Sequence, residues 1–360
     1  MTDPSAAPAS FHKLTPMIER TFVELIRETE AVWSWCHQLY TDGVPWEMRR
    51  IPKKKGFRTI HAPKDPLMAI SRGILHHVLR RLPVHRSVHG SEPRSSVITN
   101  ARVHAGFAKS VYNLDLENAF PSTNRKRLVA NLSPKMLALL LDSTDLSEEE
   151  ASVLVELLID LMLVDDILPQ GFPTSPAVLN IVLLPVDREI SRYLRQVGEE
   201  LGCELRYTRY VDDITISSDG DRIPKPVRNQ IRKIIRHNGW KINQTKLMYH
   251  GDAEPGDDER STKMPMVTGL VIHDDGRLTV PRWKLRKWRA LMHELLQAED
   301  VSQDQRDTLV GVVSFLTMVY DGDLPSAVRQ PYLDCKARFG IRDADERRGR
   351  FPERGKDSGT

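Results

Sequence analysis

Two short runs of alternating β-formers, Tyr207-Thr-Arg-Tyr210 and Ile214-Thr-Ile-Ser217, flank the adjacent carboxylates Asp212 and Asp213. Such a pattern folds as a hairpin and carries both charges to its tip. Well upstream, Val111-Tyr-Asn-Leu114 reads as another short apolar strand, and it ends on Asp115. Three acids at the ends of neighbouring strands make an oxygen-only cage suited to hard cations such as Mg²⁺. The reaction best served by that cage is two-metal phosphoryl transfer, in which one ion activates the attacking hydroxyl and the other stabilises the leaving pyrophosphate. A doubled Asp alone is a weak signal, because Asp165-Asp166 and Asp274-Asp275 of the same chain read as turns.

A chain of 360 residues with 40% hydrophobic content can bury a sizeable core and is expected to form two or three subdomains. No apolar run reaches the length of a membrane span, and the start, Met-Thr-Asp-Pro-Ser-Ala-Ala-Pro, lacks a basic segment followed by an apolar one. The expected location is therefore the cytoplasm, without a membrane partner. Cys36, Cys203 and Cys335 show no paired spacing for zinc and are odd in number, so they are expected to be reduced. Net charge is only +3, yet Lys53-Lys54-Lys55, Arg80-Arg81 and Arg282 to Arg289 are basic while Asp142 to Glu150 is acidic. Segregated charge of this kind fits a nucleic-acid channel, although a charge run is also the ordinary makeup of a solvated face.

The order of features along the chain is a basic segment, Asp115, Gln170-Gly-Phe-Pro-Thr-Ser-Pro176, Tyr210-Val-Asp-Asp213 and Lys246. This ordered series resembles the fingers and palm of reverse transcriptases over roughly residues 45 to 320. The resemblance implies an α+β, right-hand polymerase fold: fingers, a palm whose antiparallel sheet carries the Asp residues, and a helical thumb. Residues 1–45 are expected to hold a disordered segment and a helix from Pro16 to Tyr40. The fingers would occupy 46–110, with two strands around Lys53-Lys-Lys-Gly56 and a helix from Pro66 to Arg81. The palm would occupy 111–265, with a helical insertion near 140–165 that starts near Ser147.

Within the palm, one helix is predicted from Pro176 to about Gln196, with Thr174 or Ser175 as its cap. A basic amphipathic helix is predicted over Lys225 to Asn238, and a polar loop over Asp252 to Lys263. Val267 to Ile272 and Arg277 to Val280, joined by Asp275-Gly276, read as a hairpin within 266–281, the place of the primer grip. Amphipathic helices over Arg282 to Gln297 and Gln303 to Tyr320 would build a thumb spanning 282–341, before a disordered tail over 342–360.

The resemblance also distributes roles. Asp115 and Asp212 would bridge two Mg²⁺ ions and Asp213 would be a second ligand or a tuner, since adjacent strand residues point to opposite faces unless the turn bends one back. Phe120 lies five residues after Asp115, where reverse transcriptases place an aromatic beneath the incoming sugar to reject a 2′-hydroxyl. Arg58, with one of Lys53, Lys54 or Lys55, would clamp the triphosphate; Lys55 stands for that choice here. Gln170 would lie beside the sugar, and Lys246 would sit near the pyrophosphate as a general acid. A surface lysine is the plain alternative for Lys246, and a core phenylalanine for Phe120. The first thumb helix, with Trp283, Lys284, Arg286, Lys287, Trp288 and Arg289, would hold the duplex through phosphate contacts and stacking, although a Trp pair on an amphipathic helix is more often core.

Two shorter stretches narrow the resemblance. Asn100-Ala101-Arg-Val-His104 resembles the NAxxH element of retron reverse transcriptases, and Val267-Thr268-Gly269 resembles their VTG element. Asn100, His104, Val267, Thr268 and Gly269 are therefore expected to contact RNA or primer. On plainer terms His104 is a core or loop histidine and Thr268 a strand residue.

A retron enzyme would use deoxynucleoside triphosphates and bind a cognate structured non-coding RNA. It would start synthesis from the 2′-hydroxyl of a guanosine and leave branched RNA-DNA, called msDNA. Its partners would be that RNA, its DNA product, a host ribonuclease H trimming the product, and a separate effector in antiphage defence. Ser91-Glu92 and Asn118-Ala119-Phe120 depart from the aromatics of many relatives. The alternatives are a reverse transcriptase of group II intron, diversity-generating or abortive-infection type, and a non-catalytic RNA-binding scaffold. A viral-type RNA polymerase conflicts with Phe120.

Overall fold

Trp46–Pro52 (β1) and Phe57–Pro63 (β2) form an antiparallel hairpin, with Arg58 opposite Ile51 and both near its tip. The computed structural model describes residues 46–52, 56–65, 67–252, 260–261, 264–321 and 323–341. The expectations for 1–45, for Lys53 to Lys55 and for the tail lie outside the described residues.

Leu67–His77 (α1) follows the hairpin, and Val97–Arg102 (α2) starts at a reciprocal cap between Ser96 and Thr99. Ser110–Asp115 (β3) then enters the sheet. Arg125–Ser143 (α3) is capped by Asn124, and Glu148–Asp160 (α4) by a capping box of Ser147 with Glu150. Ser175–Val182 (α5) and Leu184–Leu201 (α6) replace the single predicted helix. The break follows from Pro185, which has no N–H to donate to the Ile181 carbonyl. Thr174 takes the cap position of α5, one of the two expected, but its side chain makes no capping hydrogen bond, and Ser175 is already helical.

Leu205–Tyr210 (β4) and Asp213–Ser218 (β5) make the hairpin expected around the paired acids, and Lys225–His237 (α7) follows. Met248–His250 (β6) and Arg260–Ser261 (β7) pair in parallel, so the predicted polar loop contains a short strand. Met266–Val267 (β8), Leu270–Ile272 (β9) and Leu278–Thr279 (β10) form a second sheet in the order β10-β9-β8. Val267 to Ile272 is thus two strands rather than one, because Thr268 at φ +46° and Gly269 at φ +79° turn the chain back. Arg282–Gln297 (α8), Gln303–Tyr320 (α9) and Ser326–Phe339 (α10) complete the described chain. The third helix was not foreseen, since Pro331 inside it reads as a breaker.

The main sheet runs β4-β5-β3-β6-β7, with β3 at its centre. Strand alternation gives it two unlike faces. Tyr112 and Leu114 of β3 and Ile214 and Ile216 of β5 enter a large core with α1 and α3 to α7. Asn113, Asp115, Asp213 and Thr215 belong to the other face, where Thr215 donates to Asn113 at 2.9 Å. That face meets a second core built by α2, β8 to β10 and α8 to α10, and the Asn113 amide donates to the Met266 carbonyl at 3.0 Å. No helix among the described residues is long and apolar enough to cross a membrane.

Candidate active site

β4 ends at Tyr210 and β5 begins at Asp213, leaving Val211 and Asp212 as a two-residue loop. Val211 has φ +59°, a conformation that tight hairpin turns demand and a β-branched residue resists. Its surroundings hold it there. A side-chain carbon at Gly90 would lie 2.5 Å from both the Val211 backbone nitrogen and its Cγ2, so only glycine permits the approach. The flanking strand is fixed as well, with His89 N donating to Arg209 O and Arg209 N donating to Ser87 O, each at 2.9 Å.

The three acids meet at this turn. Leu116 N donates to the Asp212 carbonyl at 3.1 Å, and Asn243 N donates to the Asp115 carbonyl at 2.8 Å. Register places Asp213, rather than Asp212, directly across from Asp115. The turn thereby solves the opposite-faces problem: Asp213 shares the polar face with Asp115, while Asp212 reaches it from the loop. Lys246, on a single turn of 3₁₀ helix ordered by Asn243, donates from Nζ to Asp115 Oδ1 at 2.6 Å.

Crowded acids resist ionisation. Loss of surrounding water, then the charge of Asp115, raises the Asp212 carboxyl above its ordinary range, with Lys246 and Arg58 partly offsetting this. Asp213 is pushed up to about 7, first by loss of water around its carboxyl end, then by Asp212 and Asp115, with which it shares a hydrogen bond. For Lys246, burial acts to lower the amine, but the Asp115 hydrogen bond and the charges of all three acids outweigh it and the net change is upward. No group of three or more His, Cys, Asp or Glu side chains among the described residues is gathered at coordinating distance.

The remaining predicted residues fall around this centre in different ways. Arg58 stands on β2 with its charge felt at Asp212. β2 is tied to the Gln170 loop by His61 N donating to Gln170 O at 2.8 Å. Gly171 at φ +116° makes this possible, since a side-chain carbon there would lie 2.4 Å from the His61 carbonyl oxygen. Gln170 is half-buried beside it. Phe120 is half-buried against the large core, in a turn where Ser122 N donates to Asn118 O and Thr123 N to Phe120 O. Lys55 lies outside the described residues.

The residues expected at the RNA or primer lie mostly inside the protein. His104 is 0% exposed and Asn100 1%. His104 bridges Ser217 Oγ at 2.6 Å and Thr208 Oγ1 at 2.8 Å, and burial, with lesser effects of Arg206 and His89, pulls its imidazole down to about 3. It is a neutral pin joining the α2 segment to β4 and β5. The Val267 side chain is buried in the second core. Thr268 donates to the Val97 carbonyl at 3.2 Å, and only Gly269 of this group is exposed.

One group that sequence reasoning missed lies beneath the turn: Arg209, Asp187 and Asn180, all 0% exposed. A charged residue in the middle of a β-forming run was the available signal, but Asp187 lies on a separate helix.

A family model described as reverse transcriptase (RNA-dependent DNA polymerase) matches residues 51–254. The retron Mx162 reverse transcriptase of Myxococcus xanthus is 32% identical over 310 residues, 79% of this chain and 60% of that protein. The retron Ec86 reverse transcriptase of Escherichia coli is 29% identical over 260 residues, 71% of this chain and 72% of that protein. The chain spans 60% of the length of the two Myxococcus xanthus relatives it matches. Among solved structures, apo telomerase from Candida tropicalis is similar over 75% of this chain and 51% of that one, with a TM-score of 0.43 at 13% identity. The family match covers more than half of the chain and takes in Arg58, Asp115, Gln170, the Val211 turn with both its acids, and Lys246; the chain belongs to the reverse transcriptase family.

Proposed function

We propose that this chain is the RNA-directed DNA polymerase of a retron, copying part of a cognate structured RNA from the 2′-hydroxyl of a guanosine into msDNA. The observation that carries the reading is the convergence of Asp115, Asp212 and Asp213 at one end of the main sheet, with Lys246 and Arg58 as the cations felt there. Its narrowing to a retron is supported by relatives named retron reverse transcriptases over most of the chain. Antiphage defence with a separate effector and trimming by host ribonuclease H belong to the same proposal.

The donor set fits divalent metal: three carboxylates supply only oxygen, and their mutual repulsion is the charge a cation relieves. Asp115, Asp212 and Asp213 would hold two Mg²⁺ ions, which when bound would activate the primer hydroxyl and neutralise the departing pyrophosphate. The rest falls to the chain itself. Arg58, with one of Lys53, Lys54 or Lys55, would orient the triphosphate through forked hydrogen bonds. Lys246 keeps its proton at neutral pH and would deliver it to the pyrophosphate oxygen. Gln170 would position the sugar and Phe120 would exclude a 2′-hydroxyl. Gly269 and Thr268 would offer the turn of the β8–β9 hairpin to the primer.

The test is to purify the protein from cells carrying its native flanking DNA, extract the bound nucleic acid, and treat it with ribonuclease and with debranching enzyme. A discrete single-stranded DNA whose mobility changes on debranching is the expected result. Recovery of RNA alone, from a preparation that extends an annealed primer, would instead point to another bacterial reverse transcriptase.

A further inference from the structure

A buried ionic strut stands directly under the acid turn. Arg209 donates from Nε to Asp187 Oδ1 at 2.8 Å and from Nη2 to Asp187 Oδ2 at 2.7 Å. Its Nη1 donates to the Val211 carbonyl at 2.7 Å and to Asn180 Oδ1 at 2.9 Å, and Nη2 also reaches the Asn180 carbonyl at 3.3 Å. All five guanidinium N–H donors are thus engaged, which no other side chain could reproduce. Asp187 is held in turn by the Tyr207 hydroxyl, and the Asn180 amide donates to Gly90 O at 2.7 Å and Glu92 Oε1 at 2.9 Å.

The connections have a direction. Asn180 lies on α5, the helix that follows the Gln170-Gly171 loop, and Asp187 lies on α6. Gly90 is the glycine that Val211 presses against. The carbonyl that the guanidinium grips belongs to Val211, the residue held in left-handed conformation immediately before Asp212. Stability is a weak explanation for such a group, because buried ion pairs replaced by apolar residues of similar volume commonly leave a fold as stable or more so.

We propose that Arg209 is a positioning residue for the acid turn. By fixing the Val211 carbonyl to α5 and α6, it holds the turn that carries Asp212 and Asp213 beside Asp115, and it couples the placement of that turn to the Gln170 loop. Asp187 and Asn180 orient the guanidinium. This inference rests on the polymerase reading.

The test compares the parent with the double variant Asp187→Leu/Arg209→Met, which removes both charges together, and with Arg209→Lys, which keeps the charge but loses the fork. Three quantities are read on the full chain: Tm without metal, Mn²⁺ affinity by electron paramagnetic resonance in the absence of substrate, and kcat and KM for primer extension with deoxynucleotides. The double variant is expected to keep the parental Tm or exceed it. Its Mn²⁺ affinity and kcat should each fall about tenfold or more, with KM for the primer unchanged. If the double variant does not fold, Arg209→Lys with a cooperative melt carries the same expectation. Parental Mn²⁺ affinity and kcat in a folded variant would overturn the proposal. A parent that extends no primer would instead sink the polymerase reading, while its Mn²⁺ affinity relative to the variants would still decide the role of Arg209.

Discussion

Asp213 faces Asp115 across two paired strands, and that single register relation changes what each acid does. Its carboxyl is held above its ordinary range, first by loss of surrounding water and then by the crowding of Asp212 and Asp115. Asp213→Asn is therefore expected to raise the Tm of the metal-free protein while lowering polymerase activity; a lower Tm would show that the crowding is not repulsive. Phe120 is the second residue with a distinct expectation. Phe120→Ala should relax discrimination against ribonucleotides by about tenfold or more in single-nucleotide incorporation. Unchanged discrimination would reduce it to a core phenylalanine. The acids were legible in sequence because their order along the chain is informative without knowing any contact. Arg209 was not, since a buried charge is explained by its partner, and Asp187 belongs to a separate stretch read as one helix from Pro176 to about Gln196.

Elements join at a few backbone and side-chain contacts. Gly171 lets the β2 backbone close on the Gln170 loop, so Gly171→Ala should displace the β1–β2 hairpin and lower kcat/KM for deoxynucleotide by about tenfold. An unaltered kcat/KM would show that the hairpin does not depend on this contact. His104 ties α2 to β4 and β5 and is uncharged when folded. Its imidazole is depressed from 6.5 to about 3, so its contribution to stability is complete above pH 6.5 and is lost as pH falls toward 3. One such linked proton gives a slope of about 1.4 kcal/mol per pH unit. Urea melts of His104→Gln should be flatter than the parent over that window, and an equal slope would contradict the burial.

The elements themselves were legible in uneven measure. The starts of α4 and α9 were readable from their Ser caps and apolar spacing. The Thr268-Gly269 turn was hidden, because Val267 to Ile272 is an unbroken run of strand-compatible residues and a threonine at positive φ is not an expected turn signal. The letters of the NAxxH stretch were visible too, but letters do not tell which side of a helix faces the protein.

At the scale of the molecule, β3 serves two bodies. Tyr112 and Leu114 anchor the helices behind the sheet, while Val111 and Asn113 meet the second core and the β8–β10 sheet on the front. The acids emerge where these two bodies adjoin, which is a suitable place for a template and primer to be held against the sheet. The decisive comparison is primer extension on an RNA template with deoxynucleotides, using the parent and Asp212→Ala purified side by side and shown to melt alike. The parent should extend the primer in a divalent-metal-dependent manner and Asp212→Ala should remain at background. Equal extension by the two proteins, or none by the parent, would contradict the assignment of the Asp115, Asp212 and Asp213 cluster as a polymerase centre.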